Sequence, residues 1–271
     1  MTGIGNDRSQ ATLVVEEAPG LPLEIEYEIF VLAFYTDSKG QTTLLRVARR
    51  VSEWLIPLLY NVVTIYPESS RYRYPPSTSL KRYGHHTHHL CFNHANSSAI
   101  LPLCPNAYNL AFWFDSERAP NVVNLPVKKV TFDDYWFLKK RPDTNDTRVV
   151  RWCSNITHLG LGRLFTVKVG QYLVHFPALE YLMILDFNEY GGLAVAWKCC
   201  PRLKVVVRLL GPVSHHDKTQ VVHNTEGEDQ DIRIVKMDGS FMSDWVRGAK
   251  GEGDMWELAE KEVERRRGTM V

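Results

Sequence analysis

Apolar residues recur at helical spacing over the first part of the chain. After a polar, flexible leader of residues 1–20, the stretch Leu21-Pro22-Leu23-Glu24-Ile25-Glu26-Tyr27-Glu28-Ile29-Phe30 begins a pattern with Ile25, Ile29, Leu32 and Ala33 at i, i+4, i+7 and i+8. This is one apolar side of a helix, with Pro22 near its start. A turn at Asp37-Ser38-Lys39-Gly40 leads to a second helical pattern, in which Leu44, Val47, Ala48, Val51, Trp54 and Leu55 share a stripe while Arg46, Arg49, Arg50 and Glu53 point away. Pro57 is expected to break this helix or to begin a third short one, because it lacks the backbone N–H and its ring crowds the preceding turn. The β-branched run Val62-Val63-Thr64-Ile65 then predicts a strand.

From there a longer period takes over. Pro105 stands five residues before Leu110, Pro177 five before Leu182 and Pro201 five before Val206, and Ser154 holds the same offset from Leu159. Strand-like cores centred on Leu90, Leu110, Val130, Leu159, Leu182 and Val206 are separated by 20, 20, 29, 23 and 24 residues. That is the period of leucine-rich repeats, with one strand and a helical or irregular return per unit. The longest interval contains the polar insertion Arg141-Pro142-Asp143-Thr144-Asn145-Asp146-Thr147. A single unit cannot bury its own apolar face, so the units are expected to stack as a solenoid. Period-2 alternation puts Leu90 and Phe92 on the core side of the first repeat strand, with His89 and Cys91 on the other side.

Asp231-Ile232-Arg233-Ile234-Val235-Lys236-Met237 alternates like a last, half-buried strand. Asp254 as N-cap with Glu257 three residues on opens a helix from Met255 to Arg267. Its side bearing Trp256, Ala259 and Val263 is expected to cover the open end of the stack, as solenoids require. The expected organisation is therefore α/β: a leader to residue 20, a helical segment over 21–65, irregular leucine-rich-like repeats over 66–240, and a capping segment with its helix over 241–271.

Charge and composition exclude more than they identify. With 44% hydrophobic residues and 271 positions, the chain can bury a sizeable core. Thirty-two basic residues against 31 acidic ones give a net charge of +1, so no global field draws it to nucleic acid or to an anionic membrane. The longest apolar run, Trp54 to Tyr66, is too short to span a bilayer, and residues 1–20 lack the apolar run of a secretory signal. Five cysteines without framework spacing fit reduced thiols, in the cytoplasm or nucleus, and leave the sequons at Asn96, Asn145 and Asn155 as chance matches.

The densest candidate chemistry is Tyr83-Gly84-His85-His86-Thr87-His88-His89-Leu90-Cys91-Phe92-Asn93-His94, which holds five of the ten histidines. A structural zinc needs four converging ligands, usually as two separated pairs. On one extended strand only His85 with His89, or His86 with His88, could share a side, so no metal is expected. His215-His216 lies in a turn. Asp133-Asp134 follows a strand and reads as the start of a return segment. Arg71-Tyr72-Arg73-Tyr74 interleaves cations and aromatics as single-strand binders do, yet without a wider basic surface it reads as a loop. Arg265-Arg266-Arg267 complements the dipole of the last helix. Phosphate loops, nucleophile elbows and His-Glu-x-x-His helices are all missing from the sequence.

With both halves read, the chain from about Leu21 to Arg267 resembles the F-box proteins with irregular leucine-rich repeats that basidiomycete fungi encode in large numbers. The resemblance rests on "LPLEIEYEIFVLA", with Leu-Pro, an acidic residue two on and a following Ile-Phe pair, then on "LLRVARRVSEWLIPLLYNVVTI" and "DWVRGAKGEGDMWELAEKEV". The chain departs from the better-known pattern in its short link between the first two helices and in Ala48-Arg49-Arg50, where a Cys-bearing segment often stands. The resemblance implies a non-enzymatic, cofactor-free subunit whose N-terminal helices dock on a Skp-type adaptor, and through it on a cullin, while the repeats recruit a protein substrate. Leu21, Pro22, Ile25, Ile29 and Phe30 match the docking motif. The same stripe could instead pack against the first repeat. Two other readings stand beside the adaptor: a repeat scaffold with a degenerate F-box, and a metal-dependent enzyme built around the histidines.

Overall fold

The structure is a computed structural model that describes residues 20–37, 39–65, 77–92, 97–112, 122–132, 146–162, 172–185, 191–210, 220–222 and 231–269. The leader, Arg71 to Tyr74, Asp133-Asp134, the insertion up to Asn145 and His215-His216 lie outside the described residues. Residue contacts divide the chain into two compact units, one ending at Leu55 and one running from Ile56 onward.

In the first unit, helix α1 spans Leu23–Thr36, a single helical turn α2 spans Gln41–Leu44, and α3 spans Arg49–Asn61 and crosses the unit boundary. The predicted second helix is thus interrupted between Leu44 and Arg49, and Val47, on its expected inner stripe, is exposed. Pro57 does not end α3 as the sequence led us to expect: the helix continues four residues beyond it, to Asn61. The carbonyl that Pro57 leaves without an intrahelical donor belongs to Glu53, an exposed residue, so water can take its place.

In the second unit, nine strands form one sheet among the described residues: β1 Val62–Ile65, β2 His89–Phe92, β3 Asn109–Phe112, β4 Lys129–Phe132, β5 His158–Leu161, β6 Tyr181–Leu185, β7 Val205–Leu209, β8 Gln220–Val221 and β9 Ile234–Asp238. They lie in the order β1-β2-β3-β4-β5-β6-β7-β9-β8, all parallel except β8, which pairs antiparallel with β9 at the edge. Val62–Ile65, grouped by sequence with the helical segment, is the first strand of this sheet. The six residues at the predicted repeat centres are direct partners across it: Leu90 with Leu110, then Val130, Leu159, Leu182 and Val206. Val63 extends this buried row at one end and Ile234 at the other.

Five of the strands, β2, β3, β5, β6 and β7, are entered the same way. Three residues before the centre an amide donates to the carbonyl three residues further back: Thr87 to Gly84, Ala107 to Cys104, Ile156 to Cys153, Leu179 to Phe176, Leu203 to Cys200. Both members of every one of these pairs are buried. The prolines and the serine found by sequence sit just inside these turns, where a fixed φ costs nothing and, for proline, no N–H is needed. Two residues after the centre come Phe92, Phe112 and Phe132, whose rings stack at 5.3 and 5.5 Å between centroids with interplanar angles of 10° and 8°.

Return segments cover the sheet side that carries these centres. They include α4 (Ser77–Tyr83), α5 (Ser97–Ile100), α6 (Thr147–Asn155) and α7 (Gly191–Cys199), and they contribute Leu80, Ile100, Trp152, Leu193 and Ala196 to one continuous core. The opposite side of the sheet has its own core, in which Cys91, Ala111, Met183, Val205, Val207, Val235 and Met237 meet α8 (Phe241–Ala249) and α9 (Met255–Thr269). Helix α8 was not foreseen from sequence. Helix α9 begins where expected, but it lies on this second face of the sheet, across the later strands, with Trp256, Ala259 and Val263 buried against it. Arg266, read from sequence as a dipole partner only, donates from Nη1 to the Ile234 carbonyl at 2.8 Å, and with Arg265 it holds Glu262. No helix among the described residues is long and apolar enough to cross a membrane.

Candidate functional site

Helix α1 starts on Pro22, whose carbonyl accepts from the amides of Ile25 and Glu26 at 3.0 Å and which itself has no N–H to leave unpaired. Glu24 and Glu26 in the first turn suit the positive end of the helix dipole. At the other end the Asp37 amide donates to the Ala33 carbonyl, and the Gln41 side chain donates to the Phe34 carbonyl at 3.0 Å. Within this unit Arg50 forms a two-pronged ion pair with Glu26, 2.6 Å at its closest, and the Tyr27 ring meets Trp54 edge to face at 5.6 Å.

These contacts fix which side of α1 faces inward. Glu26, Phe30 and Phe34, at i, i+4 and i+8, form the covered row, with Phe34 buried and the other two half-buried. On the other side Leu21 is 61% exposed, Ile25 and Ile29 are each 48% exposed and Leu32 is 69% exposed. The helix is therefore apolar on both sides, and among the described residues of its own unit one side, the row Glu26, Phe30 and Phe34, is covered. Of the five residues matched to the docking motif, Leu21, Pro22, Ile25 and Ile29 stand on open surface and Phe30 belongs to the covered row. Sequence reasoning did not single out Tyr35, 57% exposed at the far end of the open side. The aromatic run Phe34-Tyr35 offered no cue as to which ring turns outward.

The histidines do not share one extended strand as expected: His85 and His86 lie in a 3-10 turn, Gly84–His86, His88 precedes the strand, and only His89 belongs to β2. The His85 and His86 rings meet at 3.9 Å between centroids, tilted by 46°, His88 Nδ1 lies 2.9 Å from Asn61 Oδ1, and His89 turns under the second face of the sheet. Among the described residues no three His, Cys, Asp or Glu side chains are gathered so that they could hold a metal ion. Burial pushes the Cys91, Cys153 and Cys200 thiols up to about 12, so they are protonated at neutral pH and serve as packing.

A third arrangement emerges only in the structure. His89, Asn109, Lys129, His158 and Tyr181 occupy equivalent positions on five successive strands and form a polar row on the second face. The Asn109 amide donates to His89 Nδ1 at 3.0 Å, leaving Nε2 to pair with the Tyr108 hydroxyl at 3.2 Å. Helices α8 and α9 supply the counter-groups: Trp245 Nε1 donates to Asn109 Oδ1 at 3.1 Å, Lys129 Nζ donates to Asp254 Oδ2 at 3.3 Å, and the Tyr181 hydroxyl donates to Glu260 Oε1 at 2.9 Å. The His158 ring stacks on Tyr181 at 4.3 Å and meets Trp256 edge-on. The space left among Asn109, Lys129, Thr131, His158 and Asp244 is about 20 Å³, room for one water and too small for a substrate.

Both histidines of this row are held neutral. Burial, then the charges of His88 and Lys129, brings His89 down to about 4, and burial with the Lys129 and Lys204 charges brings His158 down to about 3. In an unfolded chain they would take up protons near 6.5. Between those values the unfolded state binds more protons, so their contribution to stability is complete above pH 6.5. It is lost as pH falls toward 4 and 3, by up to about 1.4 kcal/mol per pH unit for a fully shielded histidine. The urea midpoint is therefore expected to drop between pH 7.5 and pH 5, and His158→Phe should flatten that slope. Equal midpoints at the two pH values would show that the row is open to water.

No family model, curated protein or solved structure matches this chain.

Proposed function

We propose that the chain is the substrate-recruiting F-box subunit of a cullin-RING ubiquitin ligase, docking on a Skp-type adaptor through α1 and holding a protein substrate on a leucine-rich-repeat-like solenoid. No cofactor is invoked, and the setting is cytoplasmic or nuclear. The observation that carries the reading is the row Ile25, Ile29 and Leu32, exposed on a helix whose opposite side is already packed, with Leu21 exposed just before it. A partner's groove is the natural cover for such a face, and recognition by a helix laid in a groove concentrates its energy in a few apolar anchors. Phe30 acts here as an internal support of the docking helix. The repeat architecture is supported by the entry turn that five strands share and by the in-register centres from Leu90 to Val206.

The test is co-purification of the full chain with a Skp-type adaptor. Ile29→Asp places an unpaired carboxylate on the docking face and should abolish retention, whereas His88→Ala, just before β2, should leave it intact. Circular dichroism must show both variants folded. If the wild-type chain also fails to retain the adaptor at micromolar concentration, the chain is an interaction scaffold without a ligase role.

A further inference from the structure

Ten large aliphatic or aromatic side chains stand exposed among the described residues, and eight of them belong to the segment ending at Val47. The other two, Val150 at 49% and Val174 at 55%, lie on successive return segments and border the same cavity. That cavity opens between α6 and the 3-10 turn Leu173–His175 and measures about 190 Å³. Voids larger than a water molecule are few in packed proteins. This one follows from unequal neighbours, since a nine-residue helix beside a three-residue turn leaves a step that neither return fills.

The walls restrict what the cavity can hold. Val149, Val150 and Cys153 of α6 line one side, Val174 and Pro177 the other, and among the described residues no carboxylate, ammonium or guanidinium lines it. A charged group would gain no partner there. A dry cavity of roughly 150 Å³ takes benzene, so this volume suits one six-membered ring with a small substituent. The buried Cys153 sulfur offers such a ring a soft, polarisable contact. Ser154 and His175 complete the lining. The Ser154 hydroxyl donates to the Arg151 carbonyl at 2.8 Å, so toward the cavity its oxygen can only accept, and the ring must bring a donor. A phenol has the size, the neutrality and the donor. The exposed lips decide how it arrives. A free phenol inside the cavity would leave the outer methyl groups of Val150 and Val174 in water, whereas a chain that presents the ring lays its neighbouring side chains across them.

We propose that the cavity between α6 and the turn Leu173–His175 is a socket for a tyrosine side chain, presented by an extended segment of a partner protein. Apolar residues two positions to either side of that tyrosine, which an extended chain turns to the same side, cover Val150 and Val174. Ser154 Oγ accepts from the phenol. The socket owes nothing to the docking role proposed for α1.

Methyl spectra of the full chain in solution test the socket with three probes. p-Cresol should shift the Val149, Val150 and Val174 signals saturably, with Kd of about 1 mM for a ligand of its size. 4-Methylanisole, which keeps the ring and lacks the donor, should bind about fivefold more weakly, and Ser154→Ala should remove that difference. The capped peptide Gly-Leu-Ser-Tyr-Ser-Leu-Gly should bind about tenfold more tightly than p-cresol at the same signals. Val174→Lys should cancel this gain and leave p-cresol unchanged; the position is already exposed, so the fold is not at stake. Absence of saturable shifts with both p-cresol and the peptide overturns the socket. Equal binding of p-cresol and 4-methylanisole overturns the phenol, and p-cresol binding with no gain for the peptide overturns presentation by a partner chain, leaving a site for a free small molecule. The wild-type chain decides all three if a variant fails to fold.

Discussion

Replacing Phe112 with alanine is expected to lower the free energy of unfolding by about 3–5 kcal/mol. Phe112 is the middle ring of the stack that runs from Phe92 through Phe112 to Phe132, and each of the three is buried. Truncation removes the transfer energy of one large side chain, leaves a cavity between two parallel rings, and ends both stacking contacts, each worth about 0.5–1.5 kcal/mol beyond its area. Parallel strands at fixed register cannot close that gap without disturbing the ladder on either side. Urea unfolding followed by circular dichroism measures the loss, with Phe112→Leu expected to recover about half of it. A change below about 1 kcal/mol would mean that the rings are not in the packed core.

Trp256→Ala is expected to cost about 3 kcal/mol or more, by a different route. The indole is 9% exposed and stands edge-on to His158 at 5.4 Å and to Tyr181 at 6.1 Å, at the centre of the contact between α9 and the sheet. Its loss should loosen α8 and α9 before the strands: near-ultraviolet dichroism and the amide protection of these two helices should fall first, with the far-ultraviolet signal of the sheet lagging behind. Simultaneous loss of both signals would make α9 inseparable from the sheet.

The contrast between these two residues follows what the sequence could and could not reveal. The row from Leu90 to Val206 was legible because every centre sits in a short apolar run and four of the six are announced by a proline or serine at a fixed offset. The cap at Asp254 was legible for the same reason. The second face was not. Nothing near His158 or Lys129 in the chain says that Trp256 and Asp254 will lie over them, about a hundred residues later or more, and strand positions that alternate away from one core look solvated until a distant segment covers them. The break between α2 and α3 and the inward turn of Phe30 were likewise hidden, since Ile29 and Phe30 are equally apolar and only the contacts of Glu26 and Tyr27 decide which way the helix rolls. For helix α1, proposed above to dock, the segment was readable and its orientation was not.

Helix α9 lies crosswise over the later strands, and its contacts fall in step with them. Asp254 meets β4, Glu260 meets β6 and Arg266 meets β9, so six helical residues correspond to two strands each time. A rise of about 1.5 Å per residue against a strand spacing of about 4.8 Å gives that ratio. The helix is consequently a ruler that counts strands. Open repeat arrays gain and lose units freely because each unit touches only its neighbours. In this chain, removing the 23 residues from one centre at Leu159 to the next at Leu182 would leave Glu260 and Arg266 a full strand out of place. The strands between β4 and β9 are therefore locked in number by the contacts of α9.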